Sequence, residues 1–352
     1  MKSQKKKLTV CSLCLFLTAF LFGCKMPDQD TKIVLTTGFK ENEIFRIESM
    51  SCYMPEVMVY LTNIQNQYEG AYGSEIWTVD MNGISLEESV KETVIAQIAQ
   101  IKTMNLLAQR HGVTLDENEE KLVAEAAKEY FSSLSEAEKQ AIGVTEETIV
   151  GLYSEYALAH KVYEYIIKDI NPEISDDEAR TITVQHILIK TYALDGTGKK
   201  IEYSENSKAD AREEAEKILT LAKQEDADFE ALVLEYSEGE PGNFSFGKGE
   251  TEEAFEEVAF NLEKGEISEI VETEYGYHII KCINTFNREE TDANKIKIVE
   301  KKREEVFGQE YDAFVKTLTR DLNSELWETV TLLHNDEITT HTFFDIYNQY
   351  FS

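Results

Sequence analysis

The sequence lacks the signatures of most bond-breaking enzymes. There is no H-E-x-x-H metal motif, no G-x-S-x-G nucleophile elbow and no cysteine–histidine cluster outside the first residues. Metalloenzyme and hydrolase readings are therefore poor, and neither a metal nor a cofactor is expected. His111, His160, His334 and His341 stand alone and read as surface or packing residues. Cysteine is sparse. Cys11 and Cys14 form a C-x-x-C inside an apolar leader, where partner ligands are missing. Past Cys24 only Cys52 and Cys282 remain; they either pair in an oxidising compartment or are buried as small hydrophobes. Positive charge is short as well. The 352 residues hold 35 Lys+Arg against 67 Asp+Glu, and residues 24–352 hold 31 against 67, a net of −36. Such a surface repels nucleic acid and anionic headgroups and resists self-association. It suits a solubilising face, and attraction of basic unfolded chains is the alternative use. No repeat or low-complexity segment is visible, and the length, with 42% hydrophobic and 29% charged residues, fits a globular protein of two or three domains.

What is present begins with a targeting signal. Lys2, Lys5, Lys6 and Lys7 precede an apolar run from Leu8 to Phe22, short for a spanning helix, that ends in Gly23-Cys24. Leu21-Phe22-Gly23-Cys24 resembles the bacterial lipobox, although Phe22 is bulkier than the small residue usual there. The resemblance implies removal of residues 1–23 and a diacylglycerol on the Cys24 thiol. Residues 24–32 then form a polar tether. An ordinary signal peptide or an uncleaved anchor is the alternative. In each case the body lies outside the cytoplasm, and with the lipid it is held at the cell membrane on the extracytoplasmic side.

The next stretch, residues 33–180, is expected to be a helical arm. Ile44-Phe45-Arg46-Ile47 reads as a strand. Pro55 suits a first helical position, with Val57, Leu61, Ile64 and Tyr68 at helical spacing behind it. Capping boxes at Ser85–Glu88, Thr114–Glu117 and Ser135–Glu138 each open a helix, and Val90, Val94, Ile98 and Ile101 make one apolar stripe. Thr145 starts a long helix that ends before Pro172, and Ser175–Glu178 is expected to cap a short one. After residue 287 the helical pattern returns. Trp327–Leu333 reads as a strand, and Phe343, Phe344, Ile346, Tyr347, Tyr350 and Phe351 as an aromatic final helix. So many aromatics at a free end call for cover. Residues 287–352 are therefore expected to fold back on the arm as one bipartite domain.

Between these halves, residues 181–286 change character. Val184-Gln185-His186-Ile187-Leu188-Ile189 opens the stretch and Tyr275-Gly276-Tyr277-His278-Ile279-Ile280-Lys281 closes it. Asp228–Leu232, Tyr236-Ser237, Phe246-Gly247-Lys248-Gly249, Ala254–Phe260 and Gly265–Ser268 come between, in that order. The series resembles the parvulin-type (PpiC) peptidyl-prolyl cis/trans isomerase domain. It implies an α+β fold with a four-stranded antiparallel sheet and packed helices, inserted in the helical domain. The arms, more loosely, resemble the chaperone region of PrsA- and trigger-factor-related foldases.

The parvulin resemblance places His186 and His278 on adjacent central strands beneath the bound peptide, orienting each other's hydrogen bonds as the catalytic pair. Strand period puts Val184, His186 and Leu188 on one face of their strand and His278, Ile280 and Cys282 on one face of theirs. Each histidine is equally open to a purely structural role. Phe255 matches the pocket aromatic that grips proline, Phe246 and Phe260 frame it, and Thr251 stands at the pocket methionine position; ordinary core is the alternative for Phe260. The residue after Glu238, usually Cys or Asp, is Gly239, with Glu238 or Glu240 as the substitutes at hand. Two functions follow. One is an extracytoplasmic foldase that isomerises X-Pro bonds in newly exported, unfolded polypeptides. The other is a holdase whose parvulin domain only binds. A homodimer is left open, and a solute-binding lipoprotein is disfavoured because alternating βα units are missing.

Overall fold

The computed structural model describes residues 38–81 and 83–351. The leader, Cys24 and the tether lie outside the described residues. Two compact units form, residues 38–168 with 306–351 and residues 169–305.

The first unit opens with an antiparallel pair, β1 (Glu43–Ile47) and β2 (Met50–Tyr53). Helix α1 (Met54–Tyr72) follows directly, with Pro55 in its first turn, where its missing N–H costs nothing. A short pair, β3 (Asp80–Met81) and β4 (Ile84–Ser85), leads to α2 (Leu86–His111). Ser85 caps it by accepting the Glu88 N–H, and Val90, Val94, Ile98 and Ile101 are all buried. The cap of α3 (Glu117–Ser133) sits two residues later than the sequence suggested. Asp116 and Glu119 close both reciprocal bonds there, at 3.0 and 2.7 Å, so the carboxylate rather than Thr114 sets the helix start. Helices α4 (Glu136–Ile142) and α5 (Glu146–Ile167) complete the arm. A buried ammonium ties three of its helices: Lys102 Nζ lies 2.8 Å from Glu56 and 2.9 Å from Glu155.

The second unit holds β5 (Thr181–Lys190), a hairpin of β6 (Tyr192–Leu194) and β7 (Lys200–Glu202), then α6 (Glu205–Ala222) and α7 (Phe229–Tyr236). It continues with β8 (Phe244–Gly247), α8 (Glu253–Asn261), β9 (Val271–Thr273) and β10 (Gly276–Asn284). Four strands form one antiparallel sheet in the order β8-β5-β10-β9. The fold is α+β, and each sheet face is covered. Ile187, Ile189, Tyr277 and Ile279 pack on α6 and α7, while Ile182, Val184, Ile280 and Cys282 pack with Phe246, Phe255 and Ala259. Ser175 caps only a single turn, not a helix, because Arg180 leads straight into β5. Ile267 makes one isolated bridge with Lys281 and stands outside β9.

Helix α9 (Arg288–Val315) carries the chain from the second unit back to the first. There β11 (Arg320–Leu322) adds to the free edge of β1, followed by α10 (Ser324–Trp327) and α11 (Phe343–Phe351). Trp327–Leu333 is not a strand: α10 ends within it, Glu328 and Thr329 form a turn, and no strand pairs with the rest among the described residues. The aromatic end is covered as its composition demanded. Phe343 stacks on Tyr153 at 4.5 Å, and its backbone is held by Asn63 and the Tyr153 hydroxyl, at 3.1 and 2.6 Å. Glu138 accepts the N–H groups of Thr339 and Thr340, at 2.9 and 2.8 Å. Cys52 and Cys282 are both free and buried. Truncating Phe343, 1% exposed, leaves a cavity among three tyrosines. Phe343→Ala should cost about 3–5 kcal/mol in urea unfolding of the full chain; a loss below about 1 kcal/mol would show that the tail is not part of the core.

Candidate active site

The site is built by the pairing of β5 with β10. In that register His186 lies opposite Ile280 and His278 opposite Leu188. Directly opposed residues share a face, so the two histidines are diagonal neighbours in one layer. Their ring centroids are 5.3 Å apart with planes at 81°. Phe255 comes down from α8 between them, 5.4 Å from His186 and 5.2 Å from His278, and again nearly perpendicular to both. Three rings thus meet edge to face, the arrangement favoured by their quadrupoles. Phe246 lies 5.8 Å behind Phe255, and Phe244 stacks on Phe246 at 5.0 Å.

No hydrogen bond joins the two imidazoles to each other. His278 Nε2 instead lies 2.9 Å from the Thr273 hydroxyl, which accepts the Tyr275 N–H at 3.1 Å. Nδ1 of His186 and Nδ1 of His278 are buried without a hydrogen-bond partner. Burial lowers the pKa of His186, and burial together with the neighbouring His186 lowers that of His278 to about 3. Both rings are therefore neutral at ordinary pH. The close turn between β9 and β10 depends on Gly276, whose φ is +138° and where a Cβ would stand 2.1 Å from the Ile189 carbonyl oxygen.

Strand β8 pairs with β5 only as far as Val184, and the turn after α7 covers the rest of that edge. Leu188 N–H donates to Ser237 Oγ at 3.1 Å, Glu238 N–H donates to Leu188 C=O at 2.8 Å, and Lys190 N–H donates to the Glu238 carboxylate at 2.5 Å. Ser237 Oγ also accepts the Gly239 N–H at 3.2 Å. Gly239 is thereby set beside His186, and a Cβ built on it would lie 3.5 Å from His186 Nε2, an ordinary contact. A Cβ is accommodated at the place of the expected Cys or Asp, in ordinary contact with His186 and Leu188. Glu238 does not fill it, since its carboxylate is bound to the strand edge.

His186, His278, Phe255 and Phe246 are brought together. Thr251 is not part of the ring cluster: it sits half-buried ahead of α8, and its hydroxyl has no hydrogen-bond partner. Phe255 and Phe246 are only 4% and 1% exposed, whereas Phe244 is 41% exposed and lies 6.5 Å from His186. Phe244 is thus the accessible aromatic of the site. Its signal was in the sequence, two residues from Phe246 on one strand face. Thr273 gave none, because it acts across a strand pairing, and Ser237, though part of the parvulin-like series, gave no sign that its hydroxyl holds the edge of β5.

A layer of neutral imidazoles and aromatic rings suits a reaction that makes and breaks no bond. Residues 186–284 match the family model described as Rotamase, PPIC-type PPIASE domain. The second unit carries a parvulin domain. The chain is also 26% identical over 329 residues to the foldase protein PrsA of Caldanaerobacter subterraneus, covering 86% of this chain and 94% of that one. The PrsA of Clostridium botulinum strain Langeland is 25% identical, covering 90% and 96%. A solved structure of PrsA from Bacillus cereus is 21% identical and covers 76% of this chain and 97% of that one, with a TM-score of 0.37. The chain is similar to PrsA foldases over most of its length, and its PPIC-type domain lies between the two sequence segments of the helical unit.

The lowered histidine pKa values give a pH test. The unfolded chain binds protons to these groups below about pH 6.5 while the folded domain refuses them, so stability is full above that pH and falls as pH drops towards 3. Between pH 6.5 and 5 the slope contributed by His278 should approach ~1.4 kcal/mol per pH unit, and His186 adds to it in the same direction. His278→Leu should remove one histidine's share in urea titrations. An unchanged slope in that variant would mean that His278 is not held neutral.

Proposed function

We propose that this chain is an extracytoplasmic foldase that assists exported polypeptides and speeds cis/trans isomerisation of their X-Pro bonds in the parvulin domain. The carrying observation is the edge-to-face cluster of His186, Phe255 and His278 on the central strand pair. Rotation about the X-Pro bond faces a barrier of about 18–20 kcal/mol because amide resonance is lost. A catalyst needs an apolar grip on the ring and polar groups that favour the twisted amide. In this reading His186 and His278 are the catalytic pair, and Phe255, Phe246 and Thr251 serve the proline side together with the exposed Phe244. The helical unit, residues 38–168 with 306–351, holds unfolded client. Cys24 carries a lipid anchor that keeps the body at the outer face of the membrane, with residues 24–32 as tether.

Gly239 favours the second reading, a holdase whose isomerase is weak, because the polar group next to His186 is missing. An X-Pro peptide isomerisation assay separates the two. His186→Leu and His278→Leu each remove a polar ring of the proposed catalytic pair, so rates should fall about tenfold or more. Gly239→Asp should raise the rate severalfold, since its side chain fits against His186 Nε2. No rate above background in the wild type, with client aggregation still suppressed, would leave the holdase reading.

The anchor is tested in a bacterial host fed an alkyne-tagged fatty acid. The wild-type chain should take up the tag and sediment with membranes, and Cys24→Ala should do neither. Label retained in the variant would remove Cys24 as the lipidation site.

A further inference from the structure

The turn between β9 and β10 is short and held from several sides. Thr273 pairs with Gly276, so Glu274 and Tyr275 make the whole of it. Neither has a positive φ, and the turn therefore lacks the twist that two-residue hairpin loops favour. Its shape depends on neighbours, and each of its backbone groups has one. Glu252, at the head of α8, accepts the Glu274 N–H at 3.2 Å. Thr191, just past β5, donates its N–H to the Tyr275 C=O at 3.3 Å. The Tyr275 N–H goes to the Thr273 hydroxyl, which itself lies 2.9 Å from His278 Nε2. The remaining group, the Glu274 C=O, accepts from Lys200 Nζ at 2.5 Å.

Lys200 reaches the turn from the hairpin of β6 and β7. Its ammonium lies 4.9 Å from the ring centre of Tyr192 and 5.0 Å from that of Tyr275, and the two rings are 6.3 Å apart. The Glu274 carboxylate stands 3.3 Å away as well. Two aromatic faces, a carboxylate and a carbonyl thus fix a side chain that is otherwise long and flexible. The rest of the hairpin adds little to the core. Leu194 is 63% and Ile201 54% exposed, and a two-stranded hairpin by itself is marginal in water. Tyr192 and Lys200 are where it grips the β9–β10 turn.

We propose that Lys200 is a positioning residue of the isomerase site: from the hairpin it clamps the Glu274–Tyr275 turn, and through the Tyr275 N–H and the Thr273 hydroxyl it fixes the ring of His278. The proposal rests on the reading of His186 and His278 as the catalytic pair. His278 Nδ1 has no hydrogen-bond partner, so the Thr273 hydroxyl is the polar hold on that ring. When the turn loosens, the hydroxyl moves and the imidazole follows it. Such a displacement costs rate more than it costs binding of the peptide.

The test uses the full chain in detergent, with an X-Pro peptide as substrate and histidine labelled for nitrogen NMR. Lys200→Met keeps an unbranched apolar stem and removes the charge and the donor; kcat should fall about tenfold with KM within about twofold. Lys200→Arg, whose guanidinium donates to a carbonyl and lies over aromatic rings, should restore most of the rate. The ring nitrogens of His278 should shift in Lys200→Met and return in Lys200→Arg. Tyr192→Leu, which removes one ring from the ammonium and leaves Lys200 in place, should move rate and spectrum in the same direction as Lys200→Met. Lys208→Met, which removes a lysine paired with Glu202 and Glu205 on the same side of the domain, should match the wild type in both. Unmoved His278 nitrogens in Lys200→Met and Tyr192→Leu, a wild-type rate in Lys200→Met, a loss confined to KM, or an arginine variant as slow as the methionine one overturns the positioning role. A wild type without isomerase activity defeats the reading of the pair as catalytic, and the nitrogen shifts then still decide whether Lys200 holds His278.

Discussion

The pairing register of β5 with β10 is the constraint on which the parvulin domain depends. Eight residue pairs, from Gly276 with Lys190 to Asn284 with Thr183, set which side chains share a face. A slip by one residue would send one histidine to the opposite side of the sheet, among the residues that face α6 and α7. Register is fixed from both ends. Gly276 allows the tight approach of β10 to Ile189, and the Ser237–Glu238 turn anchors the edge of β5 beyond the reach of β8. Each sheet face then has its own core, so neither strand can shift without uncovering apolar surface.

The same geometry explains the chemical character of the site. Two imidazoles and a phenyl ring in mutual edge-to-face contact form a rigid, largely dry layer, in which a charged imidazole would be poorly solvated. Neutral rings suit a catalyst that must stabilise a twisted amide without accepting a proton. The Thr273 hydroxyl orients His278 from the neighbouring strand, while His186 meets the space left by Gly239. The site is therefore complete in its aromatic layer and open at one polar position.

The helical unit is organised by a different device. Its C-terminal tail is bound by side chains of the arm acting as backbone partners: Asn63, Gln65, Glu138 and Tyr153 satisfy N–H and C=O groups of a segment that forms no sheet there. Phe343 then fills an aromatic core built with Tyr60, Tyr130 and Tyr153. Polar satisfaction along the tail and apolar burial beneath it are supplied by the same helices, so the tail is a component of the core.

Much of this was legible in the sequence, where local physics decides. Helical periodicity marked the buried stripe Val90–Ile101, Ser85 and Ser135 marked caps, and period-two alternation marked β5 and β10 with their histidines. The series of residues from His186 to His278 resembled a parvulin domain, and that domain is present. Tertiary structure decided what depends on partners distant in sequence. Trp327–Leu333 has strand propensity but begins as the end of α10 and a turn, and the N–H groups of Leu332 and Leu333 beyond it are taken by Glu87 and Gln65. Thr273 reached His278 through a strand pairing, and Ser237 set Gly239 beside His186 by accepting the Leu188 N–H on the edge of β5, contacts that no local pattern reveals. Residue type and spacing determined which faces are apolar; only the packed chain determined which polar groups find one another, because hydrogen bonds depend on distances of a few tenths of an ångström that sequence spacing does not set.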